Sequence, residues 1–113
     1  MVQVNTRESA DRDLTAIWVW YVDHAGYEIA DRFLEAVTQT LAVVGQSPDI
    51  GARIGKHGAG LRRIPVGNGF GKYLLIYVRA DGGIDLVRVL HGSRDLEALG
   101  LLKHAPGEST VKE

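Results

Sequence analysis

Apolar positions recur along this chain with two different periods, and the change of period divides it. From Ala10 to Asp23, the residues Leu14, Ile17, Trp18 and Tyr21 fall on one face at helical spacing. From Tyr27 to Gln46, Ala30, Leu34, Val37, Leu41 and Val44 are spaced four, three, four and three apart, with Phe33 beside them, which is an interhelical seam. Gly26 stands where a helix stops, so the two helices form an antiparallel hairpin, too short for a coiled-coil dimer element. Ser47-Pro48 ends the second helix, and Asp49 to Gly60, with four glycines, reads as a loop.

Beyond Gly60 the period falls to two. Leu61 to Val66 alternates, and Pro65, which cannot donate to a ladder, places this strand at an edge or at a bulge. Tyr73, Leu75, Tyr77 and Arg79 alternate with Leu74, Ile76 and Val78. Leu86, Arg88 and Leu90 alternate with Val87, Val89 and His91. Both runs are apolar on both faces and read as central strands. Gly67-Asn68-Gly69 and Asp81-Gly82-Gly83 are turn signals. Val2 to Asn5 also alternates, giving a first strand; Thr6 follows as a helix N-cap, with Glu8 and Asp11 near the positive end of the helix dipole. The order is β-α-α-β-β-β, an α+β fold in which the helical hairpin covers one face of a small, mainly antiparallel sheet. The other face is expected to collect arginines and tyrosines. Trp20 lies off the apolar stripe of the first helix, where a tryptophan packs at a helix–helix seam or anchors a partner.

Composition narrows the picture. The 113 residues are 45% hydrophobic and 24% charged, which suits one folded domain, taken as residues 1–100 with a polar tail over 101–113. No apolar run approaches the roughly 20 residues that cross a bilayer, and the N-terminus has no signal-peptide core, so no membrane partner and a cytoplasmic location are expected. The chain has no cysteine, which excludes disulfides, thiolate chemistry, zinc fingers and iron–sulfur sites. The net charge of −1 conceals a polarity: residues 1–50 carry three arginines against eight carboxylates, whereas residues 51–94 carry eight lysines and arginines against two. A basic segment of this kind suits an anionic partner, whether nucleic acid, an acidic protein surface or the chain's own acidic half.

Several chemistries fail on spacing. Gly51 to Lys56 and Gly67 to Lys72 look like phosphate loops, but each is one residue short, lacks Ser or Thr after the lysine, and Lys72 opens a strand where a helix is required. His24, His57, His91 and His104 share no metal-ligand spacing, and no G-x-S-x-G elbow occurs. No metal or cofactor is expected.

The remaining pattern is specific. Ala10-x-x-Asp13-Leu14-x-x-Ile17-x-x-Trp20, the seam at Ala30, Phe33 and Leu34, Pro48-x-x-Gly51, and Leu61-Arg62-Arg63-Ile64-Pro65-Val66 together resemble the ParE/RelE toxin superfamily. The most telling part is Tyr73-Leu74-Leu75-Ile76-Tyr77 followed by Val87-Arg88-Val89-Leu90-His91-Gly92-Ser93-Arg94-Asp95-Leu96, which is similar to the ParE branch. The resemblance spans about residues 2–97 and implies the β-α-α-β-β-β order already read from periodicity.

It also implies a toxin of a type II toxin–antitoxin module of the plasmid-stabilisation kind, causing growth arrest and neutralised by a ParD-like antitoxin in a hetero-oligomer. ParE-like toxins poison DNA gyrase and are not enzymes in their own right. RelE-like toxins are ribosome-dependent mRNA endonucleases, and a degenerate member binds antitoxin without activity. If the chain is a ribonuclease, Arg62, Arg88, His91 and Arg94 supply cations and proton transfer. The tyrosine that typically comes late in the RelE branch is missing, since none follows Tyr77. Target contacts are assigned to Arg62, Arg63, Lys72, Arg79, Arg88 and Arg94. Antitoxin contacts are assigned to Leu14, Ile17, Trp20, Tyr73 and Tyr77, in a groove between the helical hairpin and the sheet.

Overall fold

The computed structural model describes residues 3–55, 60–92 and 95. The chain begins with strand β1 (Gln3–Thr6), passes through helices α1 (Glu8–Ala25) and α2 (Tyr27–Gln46), and returns through β2 (Ala52–Arg53), β3 (Arg62–Pro65), β4 (Tyr73–Ala80) and β5 (Gly83–His91). The strands form one sheet in the order β1-β5-β4-β3-β2. β1 runs parallel to β5 and every other pair is antiparallel. This is the expected α+β arrangement, with the two most apolar runs, β4 and β5, at the centre.

Local chemistry accounts for the boundaries. α1 starts at Glu8 with Arg7 as N-cap, because Thr6 is held extended opposite Leu86 in the parallel pair and is not free to cap. Glu8 and Asp11 occupy its first turn, where the unpaired amides favour acids. Gly26, at φ 93°, donates its amide back to Tyr21 and Val22 and opens α2 directly. α2 has the bounds that periodicity predicts. Pro65 pairs with Leu74 on β4, but β2 reaches only Arg62 and Arg63, so the proline faces an open edge as expected. Gly83 has no alternative, since a Cβ there would be built into the backbone of Gln3 in the neighbouring strand.

Three expectations need correction. The stretch from Asp49 to Gly60 contains β2, a two-residue strand that the glycine-rich sequence conceals. The register between β4 and β5 shifts: Ile76 faces Arg88 and Tyr77 faces Leu86, leaving Val87 as the extra residue of a bulge. Ile84 and Leu86 therefore join the core under the helices, and so does Val89, although uninterrupted alternation would send Val89 to the opposite face. The tyrosines also lie on the helix side, not the outer one. Tyr73, Leu75 and Tyr77 pack with Tyr21, Phe33, Val37, Leu41 and Val44 in the main core. The outer face instead carries a small apolar cluster of Ile54, Ile76 and Leu90, flanked by Leu61 and Leu74.

Candidate functional site

The sheet places its chemistry at two ends. At one, β1 stops opposite Leu86 while β5 continues to His91, so among the described residues the later part of β5 has an edge without a neighbouring strand. The start of α1 covers that edge with side chains. The Arg7 amide donates to the Leu86 carbonyl at 3.0 Å. Ser9 Oγ donates to the Val87 carbonyl at 2.7 Å, and Asp13 Oδ2 accepts from the Val89 amide at 2.9 Å. Asp95 Oδ2 accepts from the His91 amide at 2.6 Å. Backbone groups that would otherwise be left unpaired are thereby satisfied.

Asp13 also holds Arg88. The guanidinium donates through Nε at 2.7 Å and Nη2 at 3.1 Å, in the bidentate geometry that suits a carboxylate. This bond, with the charge of Asp13 and a smaller contribution from Asp95, raises the arginine's pKa against the opposing effect of burial. Arg88 is thus a partnered cation at the rim of a groove, not a free one.

The groove lies between α1 and the adjoining ends of β4 and β5. It has a volume of about 570 Å³ and is lined by Ile17, Trp20, Lys72, Tyr73 and Val89, with Asp13, Arg88 and His91 at its polar side. Trp20 is 45% exposed and stacks on His24, with ring centroids 4.2 Å apart. Lys72 Nζ sits 5.6 to 5.9 Å from the rings of Trp20, Tyr21 and Tyr73, within cation–π range. Behind them, Tyr21, Phe33, Phe70 and Tyr73 pack mostly edge to face. Burial, reinforced by Tyr73, pushes the Tyr21 phenol up to about 12.

The helix–helix seam belongs to Trp18 and not to Trp20. Trp18 donates from Nε1 to Asp31 at 3.2 Å and tilts against Tyr27 at 5.7 Å.

At the other end stand Arg62, Arg63, Arg79 and Tyr77. Arg62 donates to the carbonyls of Asp49 at 3.1 Å and Gly51 at 2.7 Å, which pins the connection after α2. Its Nη2 and Arg79 Nη1 each lie 3.6 Å from the same Asp49 oxygen. Tyr77 is fully buried; its hydroxyl donates to the Pro48 carbonyl and accepts from the Gly51 amide, each at 2.8 Å. It is a tether for this connection, and its burial leaves it away from the groove where antitoxin contacts are expected.

The assigned residues therefore separate. Leu14 and Ile17 pack partly buried against the core, and Tyr73 lies beneath the groove surface. Trp20, Lys72, Arg88 and His91 meet at the groove, whereas Arg62, Arg63 and Arg79 do not reach it. Arg62 pairs with Tyr77 and His91 with Tyr73, four residues apart along β4, or about 13 Å at the usual strand rise. Arg94 lies outside the described residues. Sequence reasoning missed Asp13 as the acid that holds Arg88 and the Val89 amide, although it belongs to the quoted helix pattern. Among the described residues no three His, Asp or Glu side chains gather as a metal site. No helix among them is long and apolar enough to cross a membrane.

These features define a small α+β protein with a groove beside the later part of β5, where Trp20, Lys72, Arg88 and His91 meet. The family model of the ParE toxin of type II toxin–antitoxin systems matches residues 4–96, and the chain belongs to that family. Among solved structures it is similar to a chain of a chromosomal ParDE toxin–antitoxin system from P. aeruginosa, with a TM-score of 0.66 and 20% identity. That match covers 81% of this chain and 97% of the other, and at such identity it supports the fold alone. A search of the curated proteins gives no match.

Proposed function

We propose that the chain is a toxin that poisons DNA gyrase and is neutralised by a cognate antitoxin, which lays an amphipathic segment in the groove beside α1. The observation that carries the toxin reading is the family match over residues 4–96. The groove supports the second half: an apolar floor, a half-exposed Trp20 and a cation at Lys72 suit a segment presenting apolar residues flanked by carboxylates. The separation of Arg62 from His91, and the engagement of Arg88 by Asp13, favour an inhibitor that docks over a ribonuclease.

A supercoiling assay with purified gyrase tests the target. Lost supercoiling with trapped linear DNA, relieved by antitoxin, is the expected result. Unaffected gyrase together with arrested growth would sink the gyrase reading and return the weight to the ribosome. The groove is tested separately in a Trp18→Phe background, where Trp20 is the sole remaining tryptophan. Antitoxin binding should shift its emission, and Trp20→Ala should weaken binding by at least about tenfold, as expected for a buried aromatic anchor. An unchanged spectrum on complex formation would move the antitoxin elsewhere.

A further inference from the structure

The arginines excluded from the groove form a surface of their own. β2 and β3 pair with Arg53 opposite Arg62, and β3 and β4 with Arg62 opposite Tyr77. Directly opposed residues share a face, and Arg79 stands two positions beyond Tyr77 on the same strand, so Arg53, Arg62 and Arg79 lie together. Arg63, opposite Ala52 and Ile76, turns to the other face of the same edge. Arg53 is exposed and the Arg79 side chain is 67% exposed. Neither Arg53 nor Arg63 has an ion-pair partner among the described residues. Asp49 is shared at 3.6 Å between Arg62 and Arg79. Arg62 is fixed by two backbone carbonyls and holds its charge in one place.

From this strip we infer that the β2–β3 edge binds the phosphodiester backbone of nucleic acid without regard to sequence. The chemistry is that of protein–nucleic-acid surfaces: planar guanidinium forks, a polar setting, and cations spaced by one strand step and one diagonal, about 5 and 7–8 Å. An acidic protein partner would need an apolar centre to the patch, and among the described residues of β2, β3 and β4 no large hydrophobic side chain is exposed. The strip lies at the far side of the sheet from the groove. A toxin can therefore hold an antitoxin or a protein target on one side and a nucleic acid on the other. The inference does not depend on gyrase being the target.

The test is fluorescence anisotropy with the whole chain and a short labelled DNA duplex, with a single-stranded RNA of equal length as the second probe. At about 50 mM salt the wild type should bind, and log affinity should fall with log salt at a slope near −1.8 for two phosphate contacts on duplex, from Arg53 and Arg79 at about −0.9 per contact, with Arg62 holding the strip in place. Arg53→Ala with Arg79→Ala should weaken binding at least about tenfold and reduce the slope by about 1.8. The double lysine variant should recover most of the affinity, and Trp20→Ala should change nothing. Circular dichroism confirms that the variants fold, since Arg62 is left in place. Binding to either probe with this dependence supports the inference and identifies the preferred strand form. Absence of binding at low salt would overturn it, as would polyglutamate competing charge for charge. It would also fall if the alanine variant merely self-associates on sedimentation, because the arginines would then be guarding an open sheet edge.

Discussion

The two ends of the sheet use the same materials to different purposes. At the Tyr77 end, the hydroxyl both donates and accepts, Gly51 is enclosed, and Arg62 spends two hydrogen bonds on backbone carbonyls. The Tyr77 hydroxyl, the Gly51 amide and the Arg62 guanidinium are matched there, and the aromatic ring is wholly buried. At the groove end, Asp13 and Arg88 are equally well matched, but their pairing forms the rim of an opening that leaves Trp20 and Lys72 facing solvent. The comparison teaches where to look for contact. A conspicuous arginine or tyrosine is not evidence of a binding surface when its donors and acceptors are already engaged. Binding capacity remains where a ring face or a cation still reaches solvent, as at Trp20 and Lys72 in the groove and at Arg53 and Arg79 on the β2–β4 strip.

The largest effects are expected where the closed end is opened. A Cβ on Gly51 would stand 2.6 Å from the Tyr77 hydroxyl and 2.8 Å from the Arg63 carbonyl oxygen. Gly51→Ala should therefore destabilise the fold by about 3 kcal/mol, the upper range for forced overpacking. Tyr77→Phe keeps the ring and removes the tether. It leaves the buried Gly51 amide without its acceptor, so about 2 kcal/mol is expected. Urea unfolding measures both, and the folded Tyr77→Phe protein should bind antitoxin with wild-type affinity. Weakened binding at full folding would mean that the tether shapes the contact surface, and the division between the two ends would break.

The groove end should show a smaller and asymmetric loss. Asp13→Ala removes the partner of Arg88 and the acceptor of the Val89 amide together. Arg88→Ala leaves Asp13 still bonded to that amide. Because Arg88 is 34% exposed and Asp13 18%, the cost of Asp13→Ala should be about 2 kcal/mol, below the 3–5 of a fully buried pair broken on one side. Arg88→Ala should cost about 1 kcal/mol. Equal losses in the two variants, read from urea midpoints at constant slope, would show that the backbone bond contributes nothing and that only the ion pair matters.

How much of this was legible beforehand follows the same division. Periodicity fixed α2, the hairpin at Gly26 and the central position of β4 and β5, because those depend on which residues a segment must bury. It placed Trp18 on the packed face and Trp20 off it, and left Trp20 open between a helix seam and a partner contact; the seam is Trp18's. It failed at Val87, since a bulge is a property of two strands in register and leaves no mark on the alternation of one. It failed at β2, where two residues between glycines carry no period at all. Thr6 was a reasonable cap until its pairing with Leu86 claimed its backbone. The arginines were legible as charge, but their partners were not. Asp13 is 75 positions from Arg88 in the chain, and only the docking of α1 along the open edge of β5 brings them together.

The smallest effect lies behind the groove and reads out through pH. The Tyr21 phenol ordinarily titrates near 10.0, and burial against Phe33, Phe70 and Tyr73 raises it to about 12. The folded state thus favours the neutral phenol. Below pH 10 both states are protonated and the contribution to stability is complete; between pH 10 and 12 the unfolded chain loses the proton first, so stability falls as pH rises. Tyr21→Phe keeps the ring contacts and removes this ionisation. Its urea midpoint at pH 9 should be close to that of the wild type, and the further drop on going to pH 11 should be smaller in the variant. An equal drop in both would locate the alkaline sensitivity away from the aromatic cluster. A difference would show that the open side of the molecule rests on a buried, neutral floor, which keeps the exposed Trp20 and Lys72 in position while leaving them free to engage a partner.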